Sequence, residues 1–227
     1  MSRSFFTSRN GGVSVAPYES LNLALHVGDS PDVVLRNREI LATTLGIASS
    51  DLYFMNQVHG NAVAEITEST SSSTLPTVDA LFTMVSGKYL VTLIADCIPL
   101  LLRSHRAVAA VHVGRQGLVC GVFEKSLETF NRYGIANSEI SAELGPSICG
   151  QCYEVDEQMH RDVTTQIPAT AHNAAARSLN IESGLIAKLE AAGISWKSAG
   201  LCTLHDPGYF SYRRDGVTGR QAGVISL

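Results

Sequence analysis

The sequence predicts an α+β fold, a single domain over residues 1–227 in which layered mixed β-sheets are flanked by helices. Three observations predict it. LVTLIADCIPLLL (Leu90 to Leu102) and AVAAVHVG (Ala107 to Gly114) are apolar almost throughout, as strands covered on both faces are. Segments of helical period, with start and stop signals, alternate with strand-like runs along the whole chain. The 227 residues, 45% of them hydrophobic, can bury one large core or two small ones, and no linker or internal repeat divides them.

Each element can be justified in order. SRNGGVS is a turn, with Gly11 and Gly12 free to take positive φ. DSPDVVLRNREILATTLG is a helix, with Ser30 at the N-cap, Pro31 in the first turn and Gly46 as the stop. LYFMNQVHGNAVAEI is strand, glycine-containing turn and strand, and TESTSSSTLPT is a solvated loop. From Val78 to Gly114 the pattern gives three strand-like runs broken at SGK and RSHR, and it reads Leu90 to Leu102 as one of them. LVCGVFEKSLETFNRYG is a helix ended by Gly134. ISAELGPSICGQCYEV is a short strand running into a Gly/Pro loop, and two helices follow, the second ended by Gly193. WKSAGLCT is a short strand, and YFSYRRDGVTGRQAGVISL is a terminal strand pair with turns at DG and TG.

Composition excludes several function classes. A net charge of −4 and no basic stripe argue against nucleic acid as a partner. No apolar run reaches the ~18 residues that a membrane helix needs. The N-terminal MSRSFFTSRNGGVS carries no apolar stretch like that of a signal peptide, so a cytoplasmic protein is expected. Five cysteines, without a secretory signal, favour thiol chemistry or metal binding over a disulfide framework.

Asp96 and Cys97 interrupt the apolar Leu90 to Leu102 run, and His112 sits in the next one. His59, in QVHG, lies 38 residues before Cys97, and His112 lies 15 after it. These spacings fit no one-helix or knuckle motif, so the three can meet only through the tertiary fold. Two imidazoles and a thiolate suit a catalytic zinc with an open fourth position. Equally, Cys97 can be a small buried apolar residue and His112 a hydrogen-bonded core histidine. Asp96 needs a partner at such a place, either by orienting a ligand histidine or by capping nearby backbone. HVGRQG and ELGPSICGQCYEV are glycine-rich loops able to present N–H groups to an anion, or ordinary turns. CGQC, Cys149 to Cys152, has the CxxC form, but no second pair follows at zinc-finger spacing and it reads as coincidence. YRRDGVTGR can line an anion site, while a solvated turn suffices for Arg220.

FTSRNGGVS, YESLNLALHVGD, VLRNREIL, NQVHG, VDALFT, TLIADCIPLLL, AAVHVG, GPSICGQCYEV and CTLHDPGYFSYRRDGVTGRQAGVI stand in this order. Together they resemble the laccase-domain or polyphenol-oxidase-like family of bacterial purine nucleoside phosphorylases, some members of which are called peptidoglycan editing factors. The resemblance implies a zinc site formed by His59, Cys97 and His112, with copper as another possible metal. It implies phosphorolysis of adenosine, inosine, guanosine and methylthioadenosine, deamination of adenosine, and a monomer or homodimer. Arg9, Asn22, Gln57 and Arg115 are the candidate substrate contacts, with Asp96 supporting the metal site from behind. The family's usual HAGWRG reads HVGRQG here, which removes a tryptophan and moves the positive charge one residue, to Arg115. Three other activities stay open: a Cys97-dependent amidase-like hydrolase editing a peptidoglycan precursor, a copper-dependent phenol oxidase, and a metal-binding protein with impaired catalysis. Seven histidines in all are few for a multicopper centre.

Overall fold

The two long apolar runs become the centres of two sheets stacked face to face. The computed structural model describes residues 3–227. In chain order the elements are β1 (Arg3–Phe6), α1 (Pro31–Leu45), β2 (Leu52–Tyr53), β3 (Val63–Glu65), β4 (Ala80–Thr83), β5 (Tyr89–Ile94), β6 (Ile98–Arg103) and β7 (Val108–Val113). Then come α2 (Arg115–Cys120), α3 (Val122–Arg132), β8 (Ser141–Leu144), α4 (Glu157–Gln166), β9 (Ala171–Asn173) and β10 (Ser178–Leu179). The chain closes with α5 (Ile181–Ala191), β11 (Ser195–Ser198), α6 (Tyr212–Asp215) and β12 (Gln221–Ser226).

One sheet has the order β1-β12-β5-β2, the other β11-β8-β6-β7-β4-β3, and β9 and β10 pair separately. Side chains alternate along each strand, and the alternation builds three apolar layers. Leu90, Leu101, Val108, Ala110 and Ile225 meet between the two sheets. Val91, Leu93 and Val224 face the other way, toward Leu41 and Ala42 of α1. Leu100, Leu102, Ala109, Val111 and Val113 pack on Leu118, Phe123, Phe130 and Leu185 of α2, α3 and α5. The layers therefore run helix, sheet, sheet, helices. Both sheets are covered on both faces, which is why their central strands are buried and mostly apolar.

The α+β class of layered mixed sheets and helices holds, and α1 has the predicted ends: extended Ser30, Pro31 in the first turn, and Gly46 at φ 70°. The helix expected over AARSLNIESGLIAKLEAAG begins only at Ile181, because Ser178–Leu179 pairs as strand β10, and of the further elements that differ from the sequence reading four bear on the site. The Leu90 to Leu102 run is two strands, β5 in the smaller sheet and β6 in the larger, with a corner at Ala95–Cys97. Asp96 makes the corner at φ 89°, a left-handed conformation that a strand cannot contain. The helix expected from Leu118 begins at Arg115 and is interrupted at Gly121, φ 87°, giving α2 and α3. The C-terminal strand pair is instead one helical turn, α6, and a single strand. Ser211 accepts a bond from Arg214 N at the start of that turn (3.2 Å), and β12 inserts between β1 and β5. Finally, β2 and β3 flank the QVHG segment but belong to different sheets, so that segment crosses from one layer to the other. No helix among the described residues is long and apolar enough to cross a membrane.

Candidate metal centre and its cavity

Strand ends and corners, not strand centres, carry the polar residues of interest. His112 is the fifth residue of β7, on the same side as Val108 and Ala110, and it lies opposite Pro99 of β6. Its ring thus points between the layers. Cys97 is the last residue of the β5–β6 corner, and His59 lies in the crossing segment between β2 and β3. One ligand atom from each of His59, Cys97 and His112 lies within 4.8 Å of the others. His59 Nε2 is 3.9 Å from Cys97 Sγ, and the two imidazoles are edge to face at 4.7 Å between centroids. His59 is exposed, Cys97 half-buried and His112 buried.

Asp79, fully buried, organises this group. His112 Nδ1 donates to Asp79 Oδ1 at 2.8 Å, and the N–H groups of His59 and Gly60 donate to the same carboxylate at 2.9 and 2.7 Å. Fixing the proton on Nδ1 leaves Nε2 as the free ligand atom of His112. The second contact holds His59 at φ 59°. Burial alone would raise the Asp79 pKa, but the bonds from His112, Gly60 and His59 outweigh it and hold the carboxyl below its ordinary value. Burial likewise opposes ionisation of Cys97, yet His112 and His59 lower its pKa to about 6. Burial would lower His112, but Cys97 and Asp79 raise it to about 9. Without a metal, these shifts favour a thiolate beside an imidazolium. Gly114 keeps the space open, since a Cβ there would lie 3.0 Å from both Cys97 Sγ and His59 Cδ2.

The three donors form part of the wall of a cavity of about 420 Å³, lined also by His26, Gln57, Asp96, Tyr153, Tyr212, Arg213 and Arg220. That size falls in the range of ~300–1,000 Å³ usual for small-molecule sites. Arg220 is partly withdrawn from water, and burial lowers its pKa. Its Nη1 donates to the carbonyls of Thr218 and Gly219, both at 2.9 Å. It is part of the cavity wall, not the solvated turn that suffices on sequence grounds. Arg213 lies over the Tyr153 ring at 5.1 Å and donates to the Glu154 carbonyl at 2.8 Å.

The other sequence candidates fall in different places. Gln57 lines the cavity and also clamps β5, accepting from Leu93 N and donating to Leu93 O at 2.8 Å each. Asn22 is fully buried and faces its own loop; its Oδ1 accepts from Arg220 N at 3.0 Å, so it positions an arginine and lines no cavity. Arg9 donates to the Glu19 carbonyl and stacks on Phe210, away from the cavity. Arg115 opens α2 and lines not the large cavity but a small space of about 50 Å³ shared with Cys97, Ile148 and Ile181. Its buried Nε has no hydrogen-bond partner among the described residues. Asp96 is not the carboxylate behind a histidine. Its Oδ1 accepts from Thr203 Oγ1 and its Oδ2 from Arg213 N, both at 2.7 Å, so it ties the β5–β6 corner to the start of α6.

Sequence reasoning missed Asp79, His26 and the tyrosines. For Asp79 a signal existed: a carboxylate opening the apolar strand VDALFT must find partners. The CGQC reading also changes. Cys149 and Cys152 meet Cys202 and His205, with ligand atoms again within 4.8 Å of one another.

A two-sheet α+β protein with a Cys/His donor set on the wall of an arginine-lined cavity is a candidate metalloenzyme. The family model for multi-copper polyphenol oxidoreductase laccase matches residues 3–227, and the chain belongs to that family. It is 40% identical to the purine nucleoside phosphorylase SCO2081 of Streptomyces coelicolor, over 98% of this chain and 94% of that one. It is 42% identical to the purine nucleoside phosphorylase ORF3 of Streptomyces griseus, over 98% and 93%. The crystal structure of the Bacillus licheniformis hypothetical protein YfiH superposes with a TM-score of 0.93 at 29% identity, covering 100% of this chain and 92% of that one.

Proposed function

We propose that the chain is a zinc-dependent purine nucleoside phosphorylase that also deaminates adenosine. One observation carries the reading. A three-donor set and Arg220 share one cavity, in a chain whose relatives are named purine nucleoside phosphorylases. The donors suit zinc: two imidazoles, a thiol of lowered pKa, a carboxylate behind one ring, and an open side toward the cavity. When bound, the ion supplies a Lewis acid and a water of lowered pKa. Copper would find the same donors.

The chain's own residues do the rest. Asp79 holds the Nδ1 proton of His112 and so directs Nε2. Arg220 and Arg213 line the cavity with positive charge suited to inorganic phosphate. Tyr153 and Tyr212 add flat rings against which a purine can pack. In phosphorolysis a phosphate oxygen bonds to the anomeric carbon while the glycosidic C–N bond breaks, its electron pair leaving with the purine. That reaction needs an anion site and a base site in one cavity, and holding both reactants there supplies much of the rate. In deamination, water replaces the amino group of adenosine and ammonia leaves.

The test is a nucleoside panel of adenosine, inosine, guanosine and methylthioadenosine with zinc-loaded protein. We expect phosphate-dependent release of free base, inosine from adenosine, and loss of both with Cys97→Ala. Absence of base release and of inosine in metal-loaded protein would overturn the proposal. One observation favours a second reading. Cys97 and His112 lie together with the thiol pKa lowered and the imidazole pKa raised, which favours the thiolate–imidazolium state that a cysteine hydrolase uses. The difference in zinc content between the native chain and Cys97→Ala separates the two, because zinc bound through Cys97 occupies the sulfur.

A further inference from the structure

Behind the cavity wall, two tight turns face each other. Cys152 N donates to Cys149 O at 3.0 Å, closing a turn over CGQC, and Asp206 N donates to Cys202 O at 2.9 Å, closing one over CTLH. Backbone bonds hold the turns together: Ser147 N donates to Leu201 O and Thr203 N to Ser147 O, both at 3.1 Å. The result is a CxxC loop against a CxxH loop, 50 residues apart. Sequence spacing hides this arrangement, because the second half arrives long after zinc-finger distance.

We propose that Cys149, Cys152, Cys202 and His205 form a second metal site, a closed structural zinc centre that clamps the wall of the cavity. Three features carry it. The four ligand atoms lie within 4.8 Å of one another, and His205 Nε2 is 3.1 Å from Cys152 Sγ. Ligands of a tetrahedral zinc with bonds of about 2.0–2.3 Å stand roughly 3.5–4 Å apart, so small rotations close the set. Backbone already donates to one sulfur: Cys149 N lies 3.4 Å from Cys202 Sγ. Such donors favour a thiolate. Three sulfurs and one imidazole also select zinc over oxygen-seeking cations, and a full set of four protein ligands leaves no position for substrate. On binding, each thiol releases its proton to solvent and His205 coordinates as neutral imidazole; no electron is transferred. The half-buried cysteines and exposed His205 leave a path for the ion to enter.

The site is separate from the one at Cys97, since none of its four residues lines the large cavity. Their chain neighbours do act there. Tyr153, next to Cys152, lines the cavity. Thr203, next to Cys202, donates to Asp96. An ion joining the loops would therefore fix Tyr153 and the Asp96 corner relative to each other. The proposal does not depend on which reaction the cavity performs.

The test uses the full chain purified under reducing conditions, with metal measured by mass spectrometry. Cys97→Ala is expected to retain about one zinc per chain, and its cobalt form to show the thiolate charge-transfer and intense d–d bands of a tetrahedral site. Adding Cys202→Ser to Cys97→Ala should remove that metal. Should the double variant not fold, Cys97→Ala itself gives the answer through alkylation mapped by peptide. Zinc should protect Cys149, Cys152 and Cys202, a chelator should expose them, and exposed Cys120 should react alike in both states. A metal-free Cys97→Ala protein after zinc loading would overturn the proposal. So would equal alkylation of the three cysteines with and without zinc, or a Cys149–Cys152 disulfide persisting in the reduced protein.

Discussion

At the scale of the residue, the candidate centre shows how a low-dielectric corner can set protonation by arranging partners. Cys97 lies among apolar strand ends, where burial alone would keep the thiol neutral. His112, its pKa raised by Cys97 and by Asp79, reverses that together with His59 and brings Cys97 to about 6. The thiolate therefore persists above pH about 6 and is lost below it. In metal-free protein, alkylation of the Cys97 peptide by iodoacetamide should rise through that pH, well below the ordinary cysteine value near 8.5. His112→Ala removes the cation and should move the rise upward. An unchanged profile in that variant would show that His112 does not hold the thiolate. Asp79→Asn keeps the shape but loses the charge behind His112, and should weaken metal binding at this centre by about 10- to 100-fold. Chelator competition, with Cys97→Ala as the blank, measures it. Asp96 and Cys97 were legible from sequence as polar interruptions in an apolar run. Asp79 was harder to see, because it stands at a strand start, where a carboxylate draws no notice until its partners are known.

At the scale of the element, function sits where regular structure stops. The donors come from a crossing segment, a sheet-to-sheet corner and a strand end. Sequence pattern describes the interiors of strands and helices well: β7 and α1 are legible in it, and β5 and β6 only as one unbroken run. It is silent about a corner such as Ala95–Cys97, where Asp96 takes positive φ and its carboxylate is fixed by Thr203 and by the first turn of α6. The YRRD turn was misread as strand for the same reason: four residues are too few to show a helical period. Gly114 illustrates the corner logic in a testable way. It precedes α2 at φ −86° and ψ 174°, which any residue adopts, so Gly114→Ala should leave the backbone unstrained. Its Cβ would nonetheless press on Cys97 Sγ and His59 Cδ2 at 3.0 Å. The expected result is an unchanged circular dichroism spectrum with reduced metal occupancy at this centre and reduced turnover. Full occupancy in the alanine variant would mean that the two ligands can move aside freely.

At the scale of the whole molecule, the stacking of two sheets is what brings distant segments to one cavity. Layering could be read from the sequence, since strands apolar on both faces require cover on both sides. Strand order could not be, because it depends on pairings such as β1 with β12, between the first and last strands of the chain. That order has a functional consequence. β12 lies between β1 and β5 with both of its edges bonded, and Arg220 immediately precedes it. The arginine is thus anchored to the centre of the smaller sheet, while His112 belongs to the larger one and Cys97 stands at the corner where the chain enters it. The contact between the sheets fixes the distance between the proposed anion site and the donor set. Leu101 is fully buried in that contact, with Leu90 and Ile225. Leu101→Ala should lower unfolding free energy by about 2–5 kcal/mol, the usual cost of removing a buried leucine side chain, read from urea titration of metal-loaded protein. If the sheets also set the site geometry, the surviving folded protein should show a raised KM for phosphate, with the metal content of the Cys97 centre unchanged, because Asp79 already ties the backbone of His59 and the ring of His112 together. Loss of metal in step with stability would instead place the effect of Leu101 on the larger sheet itself.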